Sequence, residues 1–177
     1  MSKSPFSAHL NFGDRKPHKR TVPWELPKEI QDRSNFFRDF ICSGYLAKLF
    51  CPSQKYAWPS NIGFDFTRNE DNRSFSVKYS CLAKGMNAWS IDIQRVRADS
   101  ILYFGFRDKV RPMLEFCLDI PAEKFKDRNR ISISDDDYHI KGYKEFWIDS
   151  DTFSKMQEVM NAINDQDSAK LEKYFSE

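Results

Sequence analysis

The sequence predicts an α+β fold: a single domain in which a central mixed β-sheet is flanked by an N-terminal helix and by C-terminal helices. Three observations lead to this prediction. Apolar residues with helical spacing lie between residues 26 and 51. Short segments rich in β-forming residues follow between residues 55 and 134, and a second helical pattern begins at residue 149. Helices separated in this way from a run of strands are typical of α+β proteins.

The first predicted helix spans residues 26–51, where aromatic and aliphatic residues such as Phe36, Phe37, Phe40 and Ile41 recur at helical spacing before Pro52 ends the pattern. Near the C-terminus, residues 149–164 begin with capping residues and predict a second helix. A last short helix is predicted over residues 168–177. These segments supply the helical layers of the predicted fold.

The strands are predicted from runs of β-branched and aromatic residues. They cover residues 55–59, 63–67, 73–80, 88–96, 99–106, 113–120 and 130–134. The polar turn RNEDN separates the second run from the third, which is a hairpin signal. Pro59 limits the first run to an edge strand or a loop.

Length and composition fit one domain with a real core. The chain has 177 residues, of which 40% are hydrophobic and 15% aromatic. No apolar run approaches the roughly 18 residues of a membrane span, and the first 20 residues hold no apolar signal-peptide core. We therefore expect a soluble, cytoplasmic protein with no membrane partner. The four cysteines are dispersed and predict free, mostly buried thiols.

Residues 1–24 predict a basic, flexible arm ahead of a domain at 25–177, because they contain three prolines and little periodicity. The arm carries the cations Arg15, Lys16, Lys19 and Arg20. From Asp135 onward there are eleven acids and five bases, a net charge of −6 that leaves +8 on residues 1–134. A basic front half suits a polyanion partner. The alternative is a solvated arm with no partner.

Lys78 is the residue that raises a chemical question. It stands in SFSVKYS, a strand with an apolar face, and Asp65 lies on the predicted hairpin partner. A buried lysine costs free energy unless it is paired. Metal-dependent phosphodiester hydrolysis would explain it, since that chemistry needs carboxylates for Mg²⁺ and a cation beside the attacking water. The alternatives are a lysine reaching solvent at a sheet edge, an aspartate accepting backbone bonds, and Asp92 on an exposed strand face.

Over residues 30–125 the order of helix, YAWPSNIGFDF, SFSVKYS, WSIDI, RADSILYFGF and LEFCLDIPAEKF resembles the PD-(D/E)XK nuclease superfamily. The resemblance implies a restriction-endonuclease-like fold. It also accounts for an aspartate ahead of a central strand, here Asp99, and for a proline-led turn at Pro121. The acid that this family places two residues before the lysine is Ser76 in this chain. A rearranged subgroup reads Ser/Thr-x-Lys and carries the acid fourteen residues later, at the position of Asp92.

The resemblance implies the following roles. Asp65 and Asp92 hold Mg²⁺, with Asp39 or, as a weaker alternative, Glu29 as the acid of the first helix. Lys78 positions or activates water, and Ser76 supports the site. Arg15, Lys16, Lys19, Arg20, Arg95 and Arg97 contact nucleic acid, with Arg107 as a further candidate.

We therefore predict a Mg²⁺-dependent DNA endonuclease of restriction, repair or mobile-element type, a function compatible with a homodimer. The alternative on the same scaffold is a catalytically degenerate nucleic-acid-binding or adaptor protein, for which Ser76 in the acid's place is the best support. A third alternative is a structural or host-interaction protein whose strands serve only as a core.

Overall fold

The computed structural model describes residues 22–56, 64–82, 85–135 and 142–175. The described helices longer than a single 3-10 turn are α1 (Lys28–Gln31), α2 (Phe37–Leu46), α3 (Ala47–Phe50), α4 (Ser150–Asn164) and α5 (Ser168–Phe175). Short 3-10 helices lie at Pro23–Glu25, Ala122–Phe125 and Lys144–Phe146. The described strands are β1 (Gln54–Tyr56), β2 (Phe66–Arg68), β3 (Ser74–Leu82), β4 (Ala88–Asp92), β5 (Ser100–Arg107), β6 (Met113–Pro121) and β7 (Arg130–Ser134).

Five strands form one mixed sheet in the order β1-β2-β3-β5-β6. The β3–β5 pair is parallel, and the other neighbours in this sheet are antiparallel. The strands β4 and β7 form a separate antiparallel ribbon. The chain is therefore a single α+β domain with a mixed sheet, as the sequence predicts.

The sheet has a core on each face, and β3 shows why. Phe75 and Val77 belong to the larger core, which includes buried residues of α2 and α4. Ser76, Lys78 and Ser80 alternate with them and therefore point to the opposite face. That face is covered by the β4–β7 ribbon, through buried residues of both ribbon strands. These residues are Trp89, Ile91, Ile131 and Ile133.

The predicted helix over residues 26–51 is interrupted. The helix α1 ends at Gln31, and a turn precedes α2. Asp32, Ser34 and Asn35 lie in this turn, and such side chains compete for backbone hydrogen bonds and disfavour a helix interior. The helix α2 has wide π-type turns and continues into α3, with the Ala47 N–H donating to the Cys42 carbonyl.

Two boundaries differ from the prediction. The strand β2 begins at Phe66, so Asp65 lies just before it rather than within it. Val22 and Pro23, which were assigned to the arm, are buried, and Trp24 packs against the larger core. The arm cations at residues 15–20 lie outside the described residues, as do residues 57–59 of the predicted first strand and residue 63 of the predicted second strand.

All four cysteines are free, and Cys42, Cys51 and Cys117 are buried, as predicted. Among the described residues, no helix combines the length and the apolar character that crossing a membrane requires.

Candidate active site

The candidate site lies at the point where β2 separates from β3. In the described part of the chain, β2 pairs with β3 only at Ser74 and Phe75. Asp65, immediately before β2, donates its backbone N–H to the Phe75 carbonyl at 2.7 Å. Its carboxylate oxygen Oδ2 accepts the Val77 N–H at 2.6 Å. The Asp65 carboxylate is therefore held against β3. It accepts the Val77 N–H in the way that a backbone carbonyl of a paired strand would.

Lys78 is one residue beyond that contact. It is half-buried on the ribbon side of the sheet. Burial is the largest influence on the Lys78 ammonium and lowers its pKa, and the positive charge of Arg38 lowers it further. The carboxylates of Asp65 and Asp92 oppose this shift, and the net result is a lowered pKa. Lys78 thus shares one electrostatic environment with Asp65, which immediately precedes β2, and with Asp92 at the end of β4.

We call Asp65, Lys78 and the charged residues that influence them, Arg38, Asp39 and Asp92, the site cluster. Arg38 is the member of this cluster that sequence reasoning missed. It lies in the first turn of α2, where the centre of the neighbouring Phe37 ring lies 4.9 Å from the centre of the Tyr79 ring of β3, with the two rings tilted by 49°. The Arg38 Nε atom donates to Asp39 Oδ1 at 2.9 Å. The sequence feature that could have identified Arg38 is the adjacent pair Arg38-Asp39 in a helix that is otherwise rich in apolar residues. Asp39, predicted as a metal ligand, is therefore paired with Arg38.

The charge of Asp65 is disfavoured where it lies. Removal of the carboxylate from water raises its pKa, and the negative charge of Asp39 adds to this rise. The Val77 N–H, the Arg38 guanidinium and the Lys78 ammonium favour the charged form. Burial is the largest of these effects, so the net shift in the pKa is upward. The fold thus places a carboxylate where its ionised form costs free energy.

Ser76 and Asp92 lie on the same side of the sheet as Lys78, but they differ in exposure. Ser76 is buried, with 5% of its surface exposed, and pairs with Ile101 of β5. Asp92 ends β4, is exposed, and accepts the Gln94 N–H at 2.8 Å through Oδ1. Its effect on the pKa of Lys78 is the smallest among the charged neighbours. Asp92 therefore lies at the margin of the cluster.

The described residues contain no group of three or more His, Cys, Asp or Glu side chains arranged to hold a metal ion. Asp65, Asp92 and Asp39, the three carboxylates predicted to bind magnesium, do not converge into such a cluster. The site instead offers one partly buried carboxylate, Asp65, beside a lysine and an Arg-Asp pair.

The other predicted residues have separate roles. Arg95 and Arg97 are exposed after β4. Arg107, in contrast, donates to Glu115 and Asp135. Its guanidinium also packs 5.5 Å from the centre of the Trp89 ring, and these contacts hold strands together. Its expected contact with phosphate is therefore not favoured.

Asp99 links the starts of β3 and β5. Its Oδ2 atom accepts the Ser74 N–H at 2.9 Å and the Ser74 hydroxyl at 3.0 Å. These bonds lower the pKa of the Asp99 carboxyl. The role of this aspartate is to join two strands.

The chain matches no model of a known protein family, and no curated protein matches its sequence.

Proposed function

We propose that this protein is a Mg²⁺-dependent DNA endonuclease with a restriction-endonuclease-like fold. The observation that carries the proposal is that Asp65, held on the Val77 N–H next to Lys78, is under the electrostatic influence of both Lys78 and Arg38. A carboxylate influenced by two cations suits the binding of a phosphodiester together with a metal cation.

Each side chain has a role that follows from its position. Lys78 would hold the attacking water and counter the negative charge that develops as water adds to phosphorus. Arg38, on the helix side of the same edge, would contact the non-bridging oxygens of the phosphate. Ser76, buried beside Lys78 on the same face, would support the orientation of that lysine.

Asp65 is the residue that would hold magnesium. Its Oδ2 atom accepts the Val77 N–H, and among the described residues no hydrogen bond is donated to Oδ1. Magnesium sites in nucleases commonly use one or two carboxylates, with substrate phosphate and water as the remaining ligands. Asp65 would be the one carboxylate ligand in this pattern, because Asp39 is paired with Arg38 and Asp92 is exposed and accepts the Gln94 N–H. When bound, the ion supplies Lewis-acid polarisation of the phosphate.

A second function is supported by a specific observation. The bond between Asp65 and Val77 holds two strands together, so this carboxylate has a structural use without any chemistry. With Ser76 in place of an acid, the same scaffold would bind DNA without cutting it. This alternative predicts DNA binding that does not depend on Lys78.

The test is cleavage of supercoiled plasmid by the purified protein in the presence of Mg²⁺, compared with EDTA. Lys78→Ala should lower the rate by about 100-fold or more, the loss typical when one group that stabilises a transition state is removed. Lys170→Ala is the matched control, because Lys170 is an exposed lysine of α5. It should cleave at the wild-type rate.

Equal cleavage by Lys78→Ala and Lys170→Ala would contradict the assigned role of Lys78. DNA binding without any Mg²⁺-dependent cleavage would favour the second function.

A further inference from the structure

A cleft lies on the ribbon side of the sheet, between two exposed segments at residues 93–99 and 122–129. Backbone hydrogen bonds join these segments at both ends. The Ile93 N–H donates to the Asn129 carbonyl at 2.9 Å, and the Ala122 N–H donates to the Asp99 carbonyl at 3.0 Å. The cleft between them has a volume of about 380 Å³, with Ile101 and Phe125 among its apolar lining.

Cations occupy both rims of this cleft. Arg97 lies on one segment, and Lys126 and Arg128 lie on the other. All three side chains are exposed, and Glu123 is the one acidic residue among the described residues that line the cleft. The rims therefore carry a net positive charge.

These cations lack carboxylate partners within the described residues, whereas several arginines elsewhere have them. The described arginines that form ion pairs are Arg38, Arg68, Arg107 and Arg111. Arg97, Lys126 and Arg128 form none with a described carboxylate. Their charge is thus available to an anion from outside the chain.

Both guanidinium groups of the cleft, those of Arg97 and Arg128, are already oriented. The Nη1 atom of Arg97 donates to the Val96 carbonyl at 3.0 Å. The guanidinium of Arg128 lies 5.5 Å from the centre of the Phe125 ring. A guanidinium held in this way loses less conformational entropy when it binds phosphate.

One pair of neighbouring strands connects the cleft with the candidate active site. Ile101, which lines it, pairs with Ser76 across the β3–β5 ladder. Lys78 is two residues from Ser76 and points to the same face. The cleft and Lys78 therefore lie on the same face of the sheet, where one extended polyanion could contact both.

We propose that this cleft binds the sugar–phosphate backbone of duplex DNA next to the scissile phosphate. The proposal rests on the proposed function for its ligand. The positive charge of the rims, the exposure of the three cations and their position on the same face as Lys78 favour a polyanion as the ligand.

The test is the binding of a fluorescently labelled DNA duplex, measured by anisotropy over a range of salt concentrations in EDTA so that no cleavage occurs. The triple variant Arg97→Gln/Lys126→Gln/Arg128→Gln should bind more weakly. Its plot of log affinity against log salt should be shallower by about 2.7, since each phosphate contact contributes about 0.9.

The matched control is Lys155→Gln/Lys170→Gln/Lys173→Gln, which removes the same charge from α4 and α5. The helix α4 packs on the opposite face of the sheet. This control should keep a slope close to that of the wild type. The double variant Arg97→Gln/Lys126→Gln preserves the Arg128–Phe125 contact and should lower the slope by about 1.8, with an unchanged melting temperature.

Equal slopes for the cleft and control triples would overturn the proposal, as would stronger binding of single-stranded DNA than of duplex. A failure of the proposed function would look different: the cleft variants would still lower the slope, but Mg²⁺ would produce no cleavage in any variant.

Discussion

Two aspartates accept hydrogen bonds from the backbone of β3, one near each end of its pairing with β2. Their carboxyl pKa values are shifted in opposite directions. Asp99 accepts two hydrogen bonds from Ser74 and is exposed, and the pKa of its carboxyl is lowered. Asp65 accepts one hydrogen bond from Val77, and burial raises the pKa of its carboxyl. The fold therefore favours the charge of Asp99 and disfavours the charge of Asp65.

The comparison separates a structural use of a carboxylate from a functional one. If the only role of this position were to accept a backbone N–H, a neutral residue such as asparagine would fill it without the free-energy cost of a buried charge. The cluster instead adds Asp39, which raises the pKa of Asp65, together with Arg38 and Lys78, which lower it. Such a costly charge in a cluster of titratable groups is typical of functional sites.

The largest expected effect is on cleavage by Asp65→Asn. The asparagine oxygen can still accept the Val77 N–H, but the charge that would hold magnesium is lost. We expect a rate at least about 100-fold below that of the wild type in a plasmid assay with Mg²⁺. Asp99→Asn makes the same chemical change at the other aspartate and should retain cleavage. Similar losses of cleavage rate in both variants would contradict the assignment of a functional role to Asp65 and a structural role to Asp99.

Lys78 provides a pH test of the same region. Its pKa is lowered from the ordinary value of about 10.5, mainly by burial and then by Arg38, while Asp65 and Asp92 oppose the shift. If the ammonium form assists cleavage, kcat/KM should fall as pH rises through this lowered pKa, by up to about tenfold per pH unit. Lys78→Arg should remove the fall, since arginine does not titrate there. Asp99→Asn should keep it.

A wild-type rate that does not fall as the pH approaches 10.5 would contradict a role for the Lys78 ammonium.

The third effect is on stability and concerns Asp99. Replacing it by alanine removes the acceptor for the Ser74 N–H and hydroxyl. Because the site is exposed, we expect a loss of only about 1 kcal/mol in the free energy of unfolding. This should lower the melting temperature by about 2–4 °C without changing cleavage per folded molecule. Thermal unfolding followed by circular dichroism measures it, and an unchanged melting temperature would show that the link does not contribute.

Much of the fold could be predicted from the sequence because β3, β5 and β6 are long and rich in β-forming residues. The boundary at Asp65 could not be predicted, since the departure of β2 from β3 depends on tertiary contacts and not on apolar alternation. The break at residues 32–36 was missed for a related reason: apolar spacing continues across it, while the turn follows from Asp32, Ser34 and Asn35.

The candidate site was predicted in part. Asp65 and Lys78 were identified from their position on neighbouring strands, and the structure brings them into one electrostatic cluster. Arg38 was missed because helical periodicity predicts that a helix forms but does not predict which strand its first turn packs against. Arg107 was expected to contact phosphate, but it pairs with Glu115 and Asp135, which are distant in sequence from each other.

The most direct test is the effect of Asp65→Asn and Asp99→Asn on the free energy of unfolding as a function of pH. The raised pKa of Asp65 means that its ionised form destabilises the fold above that pKa, and that this penalty disappears as pH falls towards about 3.8. The lowered pKa of Asp99 means that its charge stabilises the fold above about 3.8, and that this gain is lost as pH falls through its lowered pKa. At pH 7, Asp65→Asn should therefore be more stable than the wild type and Asp99→Asn less stable, with both differences closing in acid. If Asp65→Asn is instead destabilised at pH 7 as Asp99→Asn is, Asp65 is a structural cap and the central claim fails.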